Sequence, residues 1–314
     1  MTTDPIRVII DTDPGVDDTM AILLAFNSPE LQIEGLTTIF GNTGTAITTQ
    51  NALRLVELAG RPDVPVAAGA DTPLLRPFDG GGWMVHGRNG LGEVSFPAPR
   101  GTPIARRGAQ FIVDTVLANP GEITLLAVGP LTNLAIALAL EPRIVGLVKR
   151  VVIMGGAATV PGNVSAVAEA NIHNDPEAAH LVFNAGWPLV MVGLDVTTRT
   201  IMTNAYLDDL RAIGNRYTDF IGQIVRHYHA FHQQQGLEGI YVHDSSAVMY
   251  LLDPSLFTTR EVYVDVEYLS PHLRGYTVAD WRGKRQMPTH TTLCVDVDSP
   301  RFLEFYRQRI ATIR

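Results

Sequence analysis

The stretch Val8-Ile9-Ile10-Asp11-Thr12-Asp13-Pro14-Gly15-Val16-Asp17-Asp18 runs an apolar segment straight into four carboxylates. Three consecutive β-branched residues, Val8 to Ile10, read as a strand buried on both faces, as in a parallel sheet. Asp11 and Asp13 share a face because side chains two apart on a strand point the same way. Pro14-Gly15 turns the chain, and Asp17-Asp18 opens an apolar helix over Met20–Phe26. The helix dipole favours negative charge there by only about 0.3–1 kcal/mol per group. No Lys or Arg occurs between Val8 and Arg54 to neutralise these groups. Four carboxylates at a buried strand end therefore either hold raised pKa values or bind an ion. An all-oxygen ligand set favours Ca²⁺ or Mg²⁺ over zinc or iron.

Each aspartate also has an ordinary role: Asp11 ends a strand, Asp13 sits in a turn, Asp17 caps a helix. Their concentration without a neutralising cation favours the ion. Phosphoryl-transfer enzymes with an aspartate nucleophile and Mg²⁺ also open on Asp-x-Asp after an apolar strand, but the Pro14-Gly15 turn and the Asp17-Asp18 pair fit that pattern poorly.

Around this opening the 314 residues are 46% hydrophobic and 18% charged, as in a globular enzyme with a substantial core. The 24 Lys and Arg against 32 Asp and Glu give a net charge of −8 with no basic run, which argues against a nucleic-acid partner. Cys294 is the single cysteine, so no intrachain disulfide forms. Asp4, Pro5 and Arg7 do not make a signal peptide. The most apolar long window, Ile123–Leu140, is broken by Gly129-Pro130 and Thr132-Asn133, unlike a membrane helix. A cytoplasmic location is expected.

Downstream, strand, polar loop and helix alternate. Strands are expected at Ile33–Ile39, Val64–Ala67, Ile123–Val128, Val151–Met154, Leu189–Leu194, Val262–Val266, Tyr276–Ala279 and Thr292–Val295. Helices are expected at Thr45–Ala59, Ile104–Leu117, Leu134–Leu140, Ile221–Phe231, Ala247–Leu252 and from about Arg301, with Thr132 or Asn133 near the cap of the third. This βα grammar puts ligands at the carboxyl ends of parallel strands, where Asn42 falls; an Asn in a turn is the alternative there. Gly69–Gly101, with Trp83 and His86, has no period and reads as an active-site flap. Asp175-Pro176-Glu177 starts a helix, with Asp175 as its cap. His227, Tyr228, His229 and His232 form a polar helix face or substrate lid rather than a transition-metal site, since no Glu-x-x-His pattern or cysteine lies nearby. No repeat or linker divides the chain, so residues 1–314 are taken as one domain.

Asp11-Thr-Asp13-Pro-Gly-Val-Asp17-Asp18, Gly41-Asn42, His86-Gly87, Val128-Gly-Pro-Leu-Thr-Asn133, Met154-Gly-Gly156, Glu169-Ala-Asn171, Asp175-Pro-Glu177 and His243-Asp244 follow one another along nearly the whole chain. In this order they resemble the inosine-uridine preferring nucleoside hydrolase family. The resemblance implies an α/β fold with a mostly parallel, mixed central sheet flanked by helices, Rossmann-like. It also implies a bound Ca²⁺, hydrolysis of ribonucleosides to base and ribose, and a homodimer or homotetramer. Asp13, Asp18, Asp244 and the Val128 carbonyl are implied as metal ligands, and Asp13 also as the base that deprotonates the attacking water. Asp17, Asn42 and Asn171 are implied at the ribose hydroxyls, Asn163 and Glu169 at the 5′-hydroxyl, and Met154 and His86 elsewhere in the substrate site. Asp11 is implied as an organiser of its neighbours.

Such residues suit the chemistry. Breaking an N-ribosidic bond builds positive charge on the sugar, which surrounding carboxylates stabilise selectively. The base departs poorly as an anion and needs a proton or a hydrogen bond, which His243, beside a metal ligand, is placed to supply; packing at a helix start is its alternative role. Non-specific members carry an aromatic residue where Ala170 stands here, removing a stacking surface. Pyrimidine or broad ribonucleoside use is therefore expected, with Trp83, His86, Tyr228, His229 and His232 as candidates to face the base. A silent ribose-binding module would need neither Asp13 nor His243, and a phosphoryl-transfer enzyme would depend on Mg²⁺.

Overall fold

The apolar run near the start of the chain occupies the middle of the sheet. The computed structural model describes residues 4–283 and 291–313. Its first half runs β1 (Ile6–Thr12), α1 (Val16–Phe26), β2 (Leu31–Thr38), α2 (Thr45–Leu58), β3 (Val66–Ala68), α3 (Trp83–His86), α4 (Gly108–Ala118), β4 (Ile123–Ala127), α5 (Thr132–Leu140) and β5 (Arg150–Met154). It continues through α6 (Ala170–Asn174), α7 (Pro176–Phe183), β6 (Leu189–Val192), α8 (Leu194–Thr197), β7 (Ile201–Thr203), α9 (Asn204–Ile213), α10 (Arg216–Gln234), β8 (Gly239–Tyr241) and α11 (His243–Leu252). The last elements are β9 (Phe257–Val262), β10 (Val264–Glu267), β11 (Tyr276–Ala279), β12 (Thr291–Val297) and α12 (Ser299–Ala311).

Eight strands form one sheet in the order β3-β2-β1-β4-β5-β6-β12-β9, and β10 with β11 and β7 with β8 make two small antiparallel ladders. Within the large sheet every pairing is parallel except that of β12 with the edge strand β9. This is the expected mostly parallel, mixed α/β sheet. Val8 and Ile10 enter one apolar layer and Ile9 the other, as strand alternation requires, which is why the unbroken run suits a strand covered on both faces. The order reverses between β1 and β4, and open α/β sheets bind ligands in the crevice at such a switch point. The Asp-rich loop leaves β1 there, opposite the Val128 end of β4.

Several elements differ from the sequence reading. The helix expected from Ile104 starts at Gly108, and the one expected from Ala247 starts at His243. Neither Thr132 nor Asn133 caps α5: Leu131 holds the cap position, while Thr132 Oγ1 donates to Asp175 Oδ2 at 2.6 Å and Asn133 Nδ2 to Asp11 Oδ1 at 2.7 Å. The run Val262–Val266 is divided between β9 and β10, which pair in different sheets. Within Gly69–Gly101 the only helix among the described residues is the single turn α3. Asp175 caps α7, accepting the Ala178 N–H at 3.0 Å. Among the described residues no helix is long and apolar enough to cross a membrane.

Candidate active site

The Asp-rich loop folds on its own carboxylates. Gly15 ends the turn and α1 begins, so the Asp18 side chain reaches back over the loop. Its Oδ1 accepts from Thr12 Oγ1 at 2.5 Å and the Asp13 N–H at 3.2 Å. Its Oδ2 accepts from the Gly15 N–H at 3.0 Å and Asn42 Nδ2 at 2.8 Å. Asp13 Oδ2 accepts the Asn42 N–H at 2.7 Å, whereas Asp13 Oδ1 is buried with no hydrogen-bond partner among the described residues. A Cβ added at Gly129 would lie 2.7 Å from that orphaned oxygen, so the glycine keeps the space open. Beneath them Asp11 Oδ1 accepts from Asn133 Nδ2 and the Thr37 hydroxyl. Burial pushes the Asp11 pKa up to about 7.

Oxygens of Asp17, Asp18 and Asp244, all buried, lie within 4.8 Å of one another; Asp13 is not one of the three. Burial first, then mutual repulsion, raises Asp13, Asp18 and Asp244 above the ordinary carboxylate range, and burial lifts Asp17 to about 6. Among the described residues no Lys or Arg pairs with any of them; the one histidine in ion-pair range is His86, whose Nδ1 lies 3.7 Å from Asp17 Oδ1. That approach is not an ion pair, because Nδ1 accepts the Val16 N–H at 3.2 Å and burial lowers the His86 pKa to about 4. Buried, mutually repelling oxygens and an orphaned carboxylate oxygen fit a hard divalent cation, which takes six to eight oxygens at about 2.3–2.6 Å if it is calcium.

The remaining candidates arrange themselves around this cluster. Asn171 Nδ2 donates to the Val128 carbonyl at 2.9 Å and to the Met154 carbonyl at 3.1 Å, joining the ends of β4 and β5. Glu169 is more occupied than its sequence position suggests. As the cap of α6 it accepts the N–H groups of Asn171 at 2.8 Å, Ile172 at 3.1 Å and Gly156 at 2.9 Å. Asn163 is exposed, its Oδ1 accepting the Ala170 N–H at 3.0 Å.

His243 opens α11 beside Asp244, and its Nδ1 lies 2.8 Å from Thr197 Oγ1. Burial lowers its pKa to about 3, leaving a neutral ring. The histidine face of α10 is divided: Tyr228 and His232 are buried, while His227 Nε2 donates to the Met84 carbonyl at 3.1 Å, holding α3 of the flap. Rings run from His86 to Tyr228 (centroids 5.3 Å apart), His232 (4.4 Å), Tyr241 (5.4 Å) and His243 (5.5 Å). Tyr228 Oη donates to Asp17 Oδ2 at 3.4 Å. Trp83 is 49% exposed, with the Arg88 guanidinium over its ring.

Some positioning residues carried no motif. Asn51 Nδ2 donates to the Pro14 carbonyl at 3.0 Å and the Asn89 carbonyl at 2.9 Å, tying the Asp loop to the flap. Its signal was a polar residue in helical spacing with Thr48 and Leu55 on the buried face of α2. Thr37, which with Asn133 holds Asp11, gave none, because its contact lies across to the neighbouring strand; Asn133 stood in a motif, but its hold on Asp11 joins residues 122 apart in sequence.

The inosine-uridine preferring nucleoside hydrolase model matches residues 8–304. The chain is 42% identical over 301 residues to the inosine-uridine preferring nucleoside hydrolase of Crithidia fasciculata, covering 95% of each. It is 41% identical over 315 residues to uridine nucleosidase 1 of Arabidopsis thaliana, covering 97% of this chain and 93% of the relative. Its fold superposes on a plant nucleoside hydrolase with a TM-score of 0.92 at 36% identity, covering 98% and 99% of the two chains. A purine-preferring ribonucleoside hydrolase of Gardnerella vaginalis gives 0.92 at 34% identity, covering 97% and 98%.

Proposed function

We infer the chemistry from one premise: the chain belongs to the inosine-uridine preferring nucleoside hydrolase family, and so is a hydrolase of ribonucleosides. The reading proposed here is a Ca²⁺-dependent cleavage of the N-ribosidic bond that releases free base and ribose. The observation that carries it is Asp13 Oδ1, buried without a partner among the described residues, beside three other buried carboxylates that no Lys or Arg there neutralises.

Asp13, Asp18, Asp244 and the Val128 carbonyl are the ligands proposed for calcium. Bound there, the ion would orient the attacking water and make it more acidic. Asp13 takes the proton from that water as the oxygen joins the anomeric carbon and the carbon–nitrogen bond breaks. Positive charge growing on the ribose is stabilised by the carboxylates around it, more in the transition state than in the neutral substrate. Asp17, Asn42 and Asn171 hold the ribose hydroxyls, and Glu169 and Asn163 the 5′-hydroxyl; the bonds Glu169 already makes fix its carboxylate in place. Met154 lines the sugar and His86 orders the flap over it. His243 supplies the hydrogen bond that the departing base needs.

Ala170 in place of an aromatic residue, together with the 41% identity to a uridine nucleosidase, supports pyrimidine or broad ribonucleoside use. The enzyme is read as one domain over 1–314, since β12 near the end of the chain pairs with β6 in the same sheet as β1. A cytoplasmic location and, resting on the family resemblance, a homodimer or homotetramer complete the proposal. Incubation with inosine, uridine, cytidine and adenosine, assayed for reducing sugar with and without chelator, tests it. Ribose released only without chelator supports the reading, and release unaffected by chelation contradicts it.

A further inference from the structure

The Thr197 hydroxyl is fully buried at the end of α8, and its hydrogen-bonding partner among the described residues is His243 Nδ1, at 2.8 Å. The turn that carries it is fixed from several sides. Thr197 N–H donates to the Gly193 carbonyl at 3.1 Å and Leu194 N–H to the Gly156 carbonyl at 2.8 Å. The neighbouring Asp195 carboxylate accepts the N–H groups of Ala158 at 3.0 Å and Thr159 at 2.7 Å. A hydroxyl that donates nowhere in a buried site leaves its hydrogen unsatisfied, so the O–H is satisfied by pointing at Nδ1. That makes Nδ1 the acceptor and puts the ring proton on Nε2. Nε2 makes no hydrogen bond among the described residues and is not sealed from solvent, so its N–H is the open edge of the ring.

We propose that Thr197 is a positioning residue for the reaction: its hydroxyl holds His243 in the tautomer that presents Nε2–H to the nucleobase as the glycosidic bond breaks. The inference rests on the reading of His243 given above. The contact to the base remains a hydrogen bond, and no proton leaves the ring. The electron pair of the broken carbon–nitrogen bond goes to the base, which takes its proton from solvent on release, while the proton lost by the attacking water goes to Asp13. The opposite tautomer would turn a bare nitrogen lone pair towards a departing group that is gaining negative charge, and would oppose the reaction.

The test compares wild type, Thr197→Val, Thr197→Ser and His243→Ala, each loaded with calcium, on uridine, inosine and a nitrophenyl riboside. The last departs as a stable phenolate and needs little help. Thr197→Val keeps the shape and removes the hydroxyl. It is expected to lower kcat on the two nucleosides by about 10- to 100-fold, a part of the about 10²–10⁴ that a positioned donor contributes. KM and the nitrophenyl riboside rate should change by less than about 3-fold, and Thr197→Ser should restore most of the loss. If Thr197→Val retains full kcat on nucleosides while His243→Ala loses it selectively, the proposal fails and the role of His243 stands. If His243→Ala shows no selectivity for leaving group, both fall. A nitrogen-15 NMR measurement on the calcium-loaded wild type gives an arm that does not depend on how the variants fold. Protonated Nε2 with Nδ1 as acceptor supports the proposal, and protonated Nδ1 overturns it.

Discussion

Asp13 Oδ2 accepts the backbone N–H of Asn42 at 2.7 Å while Asp13 Oδ1, on the same carboxylate, is buried without a partner among the described residues. One oxygen fixes the side chain, and the other is the one proposed to act as the base. Replacing Asp13 by Asn keeps the shape and removes the proposed base, so kcat on ribonucleosides should fall by about 10²–10⁴. Steady-state ribose release, with circular dichroism to verify the fold, measures this. A kcat within about 3-fold of wild type would remove Asp13 as the base.

Asp18 and Asp244 are read as ligands, and Asp18 also accepts three hydrogen bonds within the loop and one from Asn42 beyond β2. Asp244→Ala should therefore lose bound calcium with a smaller loss of stability, whereas Asp18→Ala should lose both. Metal analysis of dialysed protein, paired with urea denaturation, separates the two effects. Full calcium occupancy in Asp244→Ala would contradict the ligand set.

Gly15 lies where no side chain fits. A Cβ there would stand 2.6 Å from Asn42 Nδ2 and 2.7 Å from His86 Nδ1, both held by hydrogen bonds. Gly15→Ala should displace Asn42 and His86 together, raising KM for nucleosides by about 10-fold or more, as expected when a positioned polar contact worth about 1.5–3 kcal/mol is lost. An unchanged KM would show that neither residue touches substrate.

The raised carboxylate pKa values give the metal-free protein an unusual pH dependence. Asp11 at about 7 and Asp17 at about 6 lie above the ordinary value of 3.8, with Asp13, Asp18 and Asp244 shifted the same way by burial. Between the unfolded and folded values the folded state keeps protons that the unfolded state has released. Their contribution to stability is thus present at low pH and is lost as pH rises through about 6 to 7. The melting temperature of chelated protein should fall between pH 5 and pH 8, and added calcium should raise it more at pH 8 than at pH 5. A melting temperature that climbs with pH in chelator would show these groups ionised without cost.

Much of this architecture is written locally. Val8 to Ile10 declare a doubly covered strand, and Asp175-Pro176 declares a helix start, because each depends on neighbours in sequence. Part of what lies outside that reading depends on distant partners, and part on local caps that apolar spacing does not show. α9 was not anticipated, and α10 begins at Arg216, earlier than its apolar spacing suggests, although Asn215 and Thr218 form a capping box that marks the start. Glu169 as a helix cap was also hidden, since Glu is not among the favoured capping residues and its hold on Gly156 crosses from another strand end. The Asp cluster was legible as chemistry. That Asp17, rather than Asp13, stands with Asp18 and Asp244 is a matter of side-chain direction that spacing does not contain.

The account turns on whether these buried carboxylates surround a calcium ion. An anomalous-difference map from crystals grown in calcium, with uridine or a non-cleavable analogue, tests this most directly. The expected result is one strong peak bonded at about 2.3–2.6 Å to oxygens of Asp13, Asp18, Asp244 and the Val128 carbonyl. A map with no peak among those oxygens, in a crystal whose protein still hydrolyses nucleosides, would contradict it.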